Sequence, residues 1–270
     1  MQKKSIQKKK VILAATAAGI LILIALFAQV IAPNDPYATN AALIRKAPSA
    51  AYWFGTDNLG RCVFSRVLYG ARTTIAATFF LVAISFVVGT VIGMLCGYYG
   101  GIVDDVLMRL TDLALAFPQM VVAIAVAGML GGGLSGALIA LGITMWTSFA
   151  RLTRSHTLSI KKSPYIVAAK LAGKHGGYIM CRHILPNILE PVLISALTQI
   201  GTTMIGISGL SFLGLGVVAP QAEWGSMINE ARAYIQIAPW AVLFPAAATI
   251  VTIIVFNYLG DVVMEYRNEA

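Results

Sequence analysis

The chain has 270 residues, 58% of them hydrophobic and only 11% charged, and its mean hydropathy is +0.79. Soluble domains carry about 25% charged residues, so the composition excludes an ordinary soluble domain and points to an all-α, multi-pass membrane protein. The net charge of +9 is not a nucleic-acid footprint. It gathers beside apolar runs, in Lys3, Lys4, Lys8, Lys9 and Lys10 and in seven basic residues between Arg151 and Arg182, where positive clusters orient a protein in a bilayer.

Residues 1–32 read as a basic cytoplasmic tail and a first span, with Val11 to Ile31 as the apolar run. That run is too long for a signal peptide and lacks a small-residue cleavage site, so it is expected to stay in the chain. Pro33, Asp35 and Pro36 end it. Residues 33–72 form a polar extracytoplasmic segment, turn-rich from Phe54 to Arg61, with a short surface helix predicted from Val63 to Leu68. Residues 73–265 form the core, with five further spans: Thr73 to Leu95, Asp104 to about Met129, Leu134 to Phe149, Glu190 to about Gly209, and Pro239 to Leu259. Ser211 to Tyr234 is a second outer segment, and a short polar tail closes the chain, with 266–270 as its cytoplasmic end. Six spans return the chain to the side on which it began.

Within the second span and beyond it, Ser85, Gly89, Gly93, Gly97 and Gly101 recur every four residues. They make a stripe almost free of side chains that admits close approach of another helix, either within the chain or between subunits. Asp112 is an ionisable residue in the third span, a candidate for the pathway of a solute or for a structural pair. Pro118 is expected to kink that span.

Residues 159–187 are a wet, basic loop between apolar runs. Ser163-Pro164 opens a helix, on which Tyr165, Ala169 and Ala172 share a face. Gly173 and Gly176-Gly177 break it, and a second short helix from Tyr178 to Leu185 is ended by Pro186. The loop either rests its lysines on lipid headgroups or presents small apolar faces to another protein.

Several chemistries are missing. No G-x-x-x-x-G-K-[ST] cradle for ATP occurs; Gly173-Lys174 lacks the leading glycine and the hydroxyl residue. His156, His175 and His183 have no convincing zinc spacing with Cys181, and Cys62, Cys96 and Cys181 form no redox pair. No nucleophile, base and orienter come together. Asp57 and Glu223 read as carboxylates on solvated turns, or as contacts for a cationic solute.

The 163–187 loop resembles the cytoplasmic motif of binding-protein-dependent ABC importer permeases: Ala168, Ala169, Gly173, His183, Leu185 and Pro186 match, with Val167 at the usual glutamate position. Phe54 to Arg61 (FGTDNLGR), Gly100-Gly101 with Asp104, Ser211 to Gly216 (SFLGLG) and Pro220 to Arg232 (PQAEWGSMINEAR) look like the second permease of dipeptide, oligopeptide and nickel importers. The resemblance implies a type I importer permease fold with six transmembrane helices, in a bacterial cell membrane, with both termini cytoplasmic. It implies no catalytic, metal or cofactor site in this chain, with ATP-Mg held by two partner ATPases that dock on the loop. A paralogous permease and an extracytoplasmic solute-binding protein complete the implied assembly. The expected cargo is nickel, a metal chelate or a small peptide, with the AEWG wording at 222–225 leaning toward nickel. A strictly peptide permease and a non-transporting membrane scaffold are the other readings.

Overall fold

The computed structural model describes residues 2–268, with side chains for 6–267. The end of the expected tail and the side chains of Lys3 and Lys4 lie outside those residues. Eleven α-helices follow in order: α1 (Gln2–Leu26), α2 (Ala28–Ile31), α3 (Val63–Tyr99), α4 (Gly101–Ala116), α5 (Gln119–Met129), α6 (Gly133–Ile160), α7 (Pro164–Leu171), α8 (Gly176–Ile179), α9 (Leu185–Phe212), α10 (Trp224–Ala231) and α11 (Trp240–Asn268). Among the described residues the β pairing is one isolated bridge, Thr56 with Cys62. Five helical segments are long and apolar enough to cross a membrane, and the bent pair α4–α5 makes a sixth.

The expected spans are present, but several are longer than their apolar runs. The predicted surface helix at Val63–Leu68 is instead the first two turns of α3. Val63, Arg66, Val67, Gly70, Ala71, Thr74, Ile75 and Thr78 are all buried, a helical period that begins well before the purely apolar stretch. At about 55 Å, α3 exceeds a bilayer core of about 30 Å and stands out of it. Beyond Phe149, α6 continues through Ala150, Thr153 and Thr157, small buried residues that carry the charged turns along. The expected polar tail from Asp261 is helical to Asn268, as the last turns of α11.

Three buried clusters set the architecture. The central one joins Leu81 and Val82 of α3, Leu141, Met145 and Phe149 of α6, and Ile200, Ile207 and Leu210 of α9. A second, at one end of the bundle, packs Val63 and Val67 against Trp224, Met227 and Tyr234. A third, at the opposite end, holds Ile166, Ile179, Ile184 and Ile188 on Met94. The first helix, α1, lies mainly along α11 and α3.

The glycine stripe lies between α3 and α6 of this one chain. A Cβ on Gly89 would come under 3.0 Å from the Trp146 carbonyl, on Gly93 from the Ala150 carbonyl, and on Gly97 from the Thr157 side chain. The stripe ends there. Gly101 has φ +55° with open space around it, and with Gly100 (φ +69°) it turns the chain from α3 into α4.

Pro118 does more than kink a helix. Phe117 is extended (φ −103°, ψ 144°), as a residue before proline prefers. The axes of α4 and α5 consequently meet at a bend of 88°. Pro186, by contrast, ends nothing. A π turn at Met180–Ile184 precedes it, with the Leu185 N–H donating to the Met180 carbonyl. Pro186 then lies inside the continuous helical run Gly176–Phe212, directly after that π turn, and does not end it. The helix also runs on through Pro191.

Candidate functional site

Two polar constructions lie at opposite ends of the bundle. The first is the α7–α8 hairpin. Ser163 is extended and Pro164 occupies the first turn of α7. The helix ends in a Schellman arrangement: the Gly173 N–H donates to the Lys170 carbonyl and the Lys174 N–H to the Ala169 carbonyl. Gly173 sits at φ +72°, the left-handed conformation this stop requires. His175 then caps α8, its Nδ1 accepting from the Tyr178 N–H at 3.2 Å.

This hairpin is anchored by residues that the loop motif does not contain. Ile166 and Ile179 are fully buried against Ile184, Ile188 and Met94, and Gly176 fits under the Tyr98 ring, 2.8 Å from where its Cβ would be. The ammonium groups of Lys161 and Lys170 stand 5.8 and 5.3 Å from the centre of that ring. Such contacts hold the cations beside an apolar body while leaving them wet. Ala168, Ala172, Gly173 and Pro186 are exposed, as is Tyr165, while Ala169, His183 and Leu185 are half-buried. The His183 ring lies edge-on to Tyr178 and tilted toward Tyr165. Leu171 is 85% exposed and Val167 45%, so the free face of α7 is apolar and rimmed by lysines.

Asp112 is separate from the hairpin. It lies on α4, exposed, and pairs with Arg151 of α6, not with Arg109, its neighbour one turn away. One turn beyond Arg151, Arg154 makes a forked pair with Asp104. These two pairs tie α4 to α6. Pro118 follows the C-terminal end of α4, past Asp112, and takes no part in that ion pair. Among the described residues no group of three His, Cys, Asp or Glu gathers as for a metal ion.

The second construction corrects the reading of Asp57 and Glu223 as solvated or solute-facing carboxylates, because both are buried. Asp57 accepts from the Leu59 and Arg61 N–H groups at 2.9 Å and from Arg61 Nε at 2.6 Å. Arg61 Nη2 reaches Glu230 at 2.6 Å. Arg66, 1% exposed, lies 3.6 Å from Asp57 and 3.5 Å from Glu230, and donates to the Pro220 carbonyl at 3.2 Å. One arginine thereby clamps the segment before α3 to the one around α10. Burial alone would lower the Arg61 pKa, but Asp57 and Glu230 outweigh it and raise it. Burial pushes the Tyr234 phenol up to about 12; its hydroxyl donates to Asn58 Oδ1 at 3.3 Å. Glu223 caps α10, accepting from the Gly225 and Ser226 N–H groups at 2.9 and 2.8 Å and from Thr74 Oγ1 at 3.3 Å. Its charge sits on the positive end of that helix. The FGTDNLGR motif is visible in sequence, but its pairing with Glu230 is not, because 169 residues separate Arg61 from that carboxylate.

The described residues form an all-α, multi-pass bundle with one sharply broken span and a hairpin seated on one end of it. The fold is similar to that of the inward-facing MetNI methionine ABC transporter, with a TM-score of 0.60 at 18% identity over 75% of this chain and 97% of the other. The chain belongs to the family of binding-protein-dependent transport system inner membrane components, whose model matches residues 89–268. It is 42% identical over 240 residues to the dipeptide transport system permease protein DppC of Alkalihalophilus pseudofirmus, covering 89% of this chain and 79% of the relative. It is 41% identical over 254 residues to the glutathione transport system permease protein GsiD of Pectobacterium atrosepticum, covering 92% and 84%. These relatives place it among the dipeptide and oligopeptide permeases of ABC importers.

Proposed function

We propose that this chain forms half of the translocation pathway of an ATP-driven importer for small peptides. The observation that carries the reading is the α7–α8 hairpin: a rigid, basic projection with an apolar free face, seated through Ile166 and Ile179 on α3 and α9. A load on that face passes to two long spans. With no nucleotide cradle in the chain, ATP energy reaches it mechanically, and two partner ATPases holding ATP-Mg are the source. In this reading Ala168, Ala169, Gly173, His183, Leu185 and Pro186 shape the coupling surface and the chain itself is not an enzyme. Both termini are cytoplasmic, a paralogous permease supplies the other half of the pathway, and a solute-binding protein delivers cargo to the opposite end.

The peptide cargo is favoured over nickel by the relatives, whose names specify dipeptide and glutathione. The nickel reading leaned on Ala222-Glu223-Trp224-Gly225, and those residues have structural duties that any cargo would need. Glu223 caps α10, Trp224 Nε1 donates to the Val67 carbonyl at 2.9 Å, and Gly225 admits Ser208 under 3.0 Å from where a Cβ would be.

The test is reconstitution of the importer in vesicles with its binding protein. Uptake and ATPase stimulation by dipeptides and glutathione are expected. Stimulation by nickel or a nickel chelate alone would overturn the peptide reading. Complexes without ATP-dependent uptake of any of these cargoes would favour the scaffold.

A further inference from the structure

Beyond the family assignment, one cavity among the spans has distinctive chemistry. A notch of about 120 Å³ opens between α5, α6 and α9, lined by Gln119, Met120, Met145, Gln199, Thr202 and Thr203. It lies at the level of the central core, since Leu141 also lines it and packs beside Leu81. Two larger clefts along the spans, one beside Phe79 and Leu197 and one beside Leu21 and Phe244, are walled almost wholly by hydrocarbon.

Two independent features make this notch a water-facing surface rather than a lipid-facing one. Side-chain amides without partners are costly in hydrocarbon, and neither the Gln119 nor the Gln199 amide has a hydrogen-bond partner among the described residues. Gln119 also follows directly on the break at Phe117-Pro118, and irregular backbone at membrane depth is tolerated only where protein buries it or water reaches it.

The donors and acceptors define what fits. Thr202 and Thr203 spend their hydroxyl hydrogens on the Gln199 carbonyl, at 3.0 and 2.6 Å, which leaves oxygen lone pairs toward the notch. Each glutamine offers both a donor and an acceptor. No ionised group lines the notch. We infer that Gln119, Gln199 and Thr202 contact the backbone amide of a peptide in transit, a uniform neutral recognition unit indifferent to the cargo's side chains. The methionines on either side, Met120 and Met145, give an adaptable apolar wall suited to side chains of varied size.

This inference rests on the peptide reading, and the experiment separates the two. The complete importer is reconstituted with its binding protein, and uptake is compared for a dipeptide and for the same dipeptide methylated at its amide nitrogen. In Gln119→Leu/Gln199→Leu, kcat/KM for the unmodified dipeptide should fall roughly tenfold, the loss expected for one to two hydrogen bonds. Uptake of the methylated dipeptide should change much less. Equal losses for both peptides, or none for either, would overturn the contact while leaving the peptide reading intact. A wild-type complex that moves nickel and no peptide would overturn both.

A second measurement covers variants that assemble poorly. Thr202→Cys in a Cys181→Ser background should react with a water-soluble maleimide in the assembled complex. A cysteine that stays unreacted both with and without ATP would place the notch against the partner permease and overturn the inference.

Discussion

At the scale of single residues, the buried charge clamp carries the sharpest consequences. Arg61 and Arg66 share Asp57 and Glu230 in a site that admits little water. Removing one partner of such a set leaves an uncompensated buried charge, which costs about 3–5 kcal/mol. Arg66→Met should therefore lower the melting temperature of the purified protein sharply, and adding Glu230→Gln should recover part of the loss. An unchanged melting temperature in Arg66→Met would show that the clamp stabilises nothing. The same site predicts alkaline sensitivity. The Tyr234 phenol is held near 12 by burial, whereas an unfolded tyrosine titrates near 10. Its contribution is complete below about pH 10 and is lost as pH rises toward 12, because the unfolded chain releases its proton first. Unfolding between pH 9 and 12 should show a shallower alkaline loss in Tyr234→Phe than in wild type; parallel curves would reject the assignment.

At the scale of elements, glycines that look alike in the sequence prove to have different reasons. Gly93 is required by space, since α6 backbone lies where its Cβ would be. Gly173 is required by conformation, with open surroundings and φ +72°. The two therefore separate by substitution. Gly93→Leu should force α3 from α6 and cost about 1–3 kcal/mol or more as overpacking, read as loss of folded protein in detergent. Gly173→Val should leave the bundle intact but strain the stop of α7. In the assembled importer the partner ATPases should then hydrolyse ATP without transport, whereas Gly173→Asn, which tolerates the left-handed region, should transport nearly as wild type. Equal transport by both Gly173 variants would remove the hairpin geometry from coupling.

The contrast also marks how far the sequence was legible. Spans announce themselves through composition, and the breaks at Gly173 and Pro118 through backbone chemistry, because both are local. The first turns of α3 stayed hidden because Arg61 and Arg66 make that stretch look like a wet surface. Glu230, the acid that pairs with both, comes from α10, far along the chain. Ile166 stayed hidden for the same reason: one isoleucine in a basic loop declares its burial only when Met94 and Ile188 arrive beside it. The glutamines of the notch are ordinary residues until a bend places them at one level.

At the scale of the whole molecule, that bend decides the shape of the third span. Straight, residues 101–129 would form a helix about 43 Å long at 1.5 Å per residue. With arms of 16 and 11 residues meeting at 88°, the ends lie only about 29 Å apart. Pro118 holds the bend by denying Phe117 a helical conformation, so Pro118→Ala releases the constraint. The pairs of Asp104 and Asp112 with Arg154 and Arg151 would still hold α4 on α6, and straightening would swing α5 and Gln119 away from α9. Spin labels at Ile102 and Met129, both exposed, should move apart by about 10 Å or more in Pro118→Ala, with peptide transport lost and the ATPases still active. A distance unchanged from wild type would mean that packing against α6, which α5 touches along its length, rather than the proline, holds the break. Gln119 would then keep its place in the notch, and transport should survive the substitution.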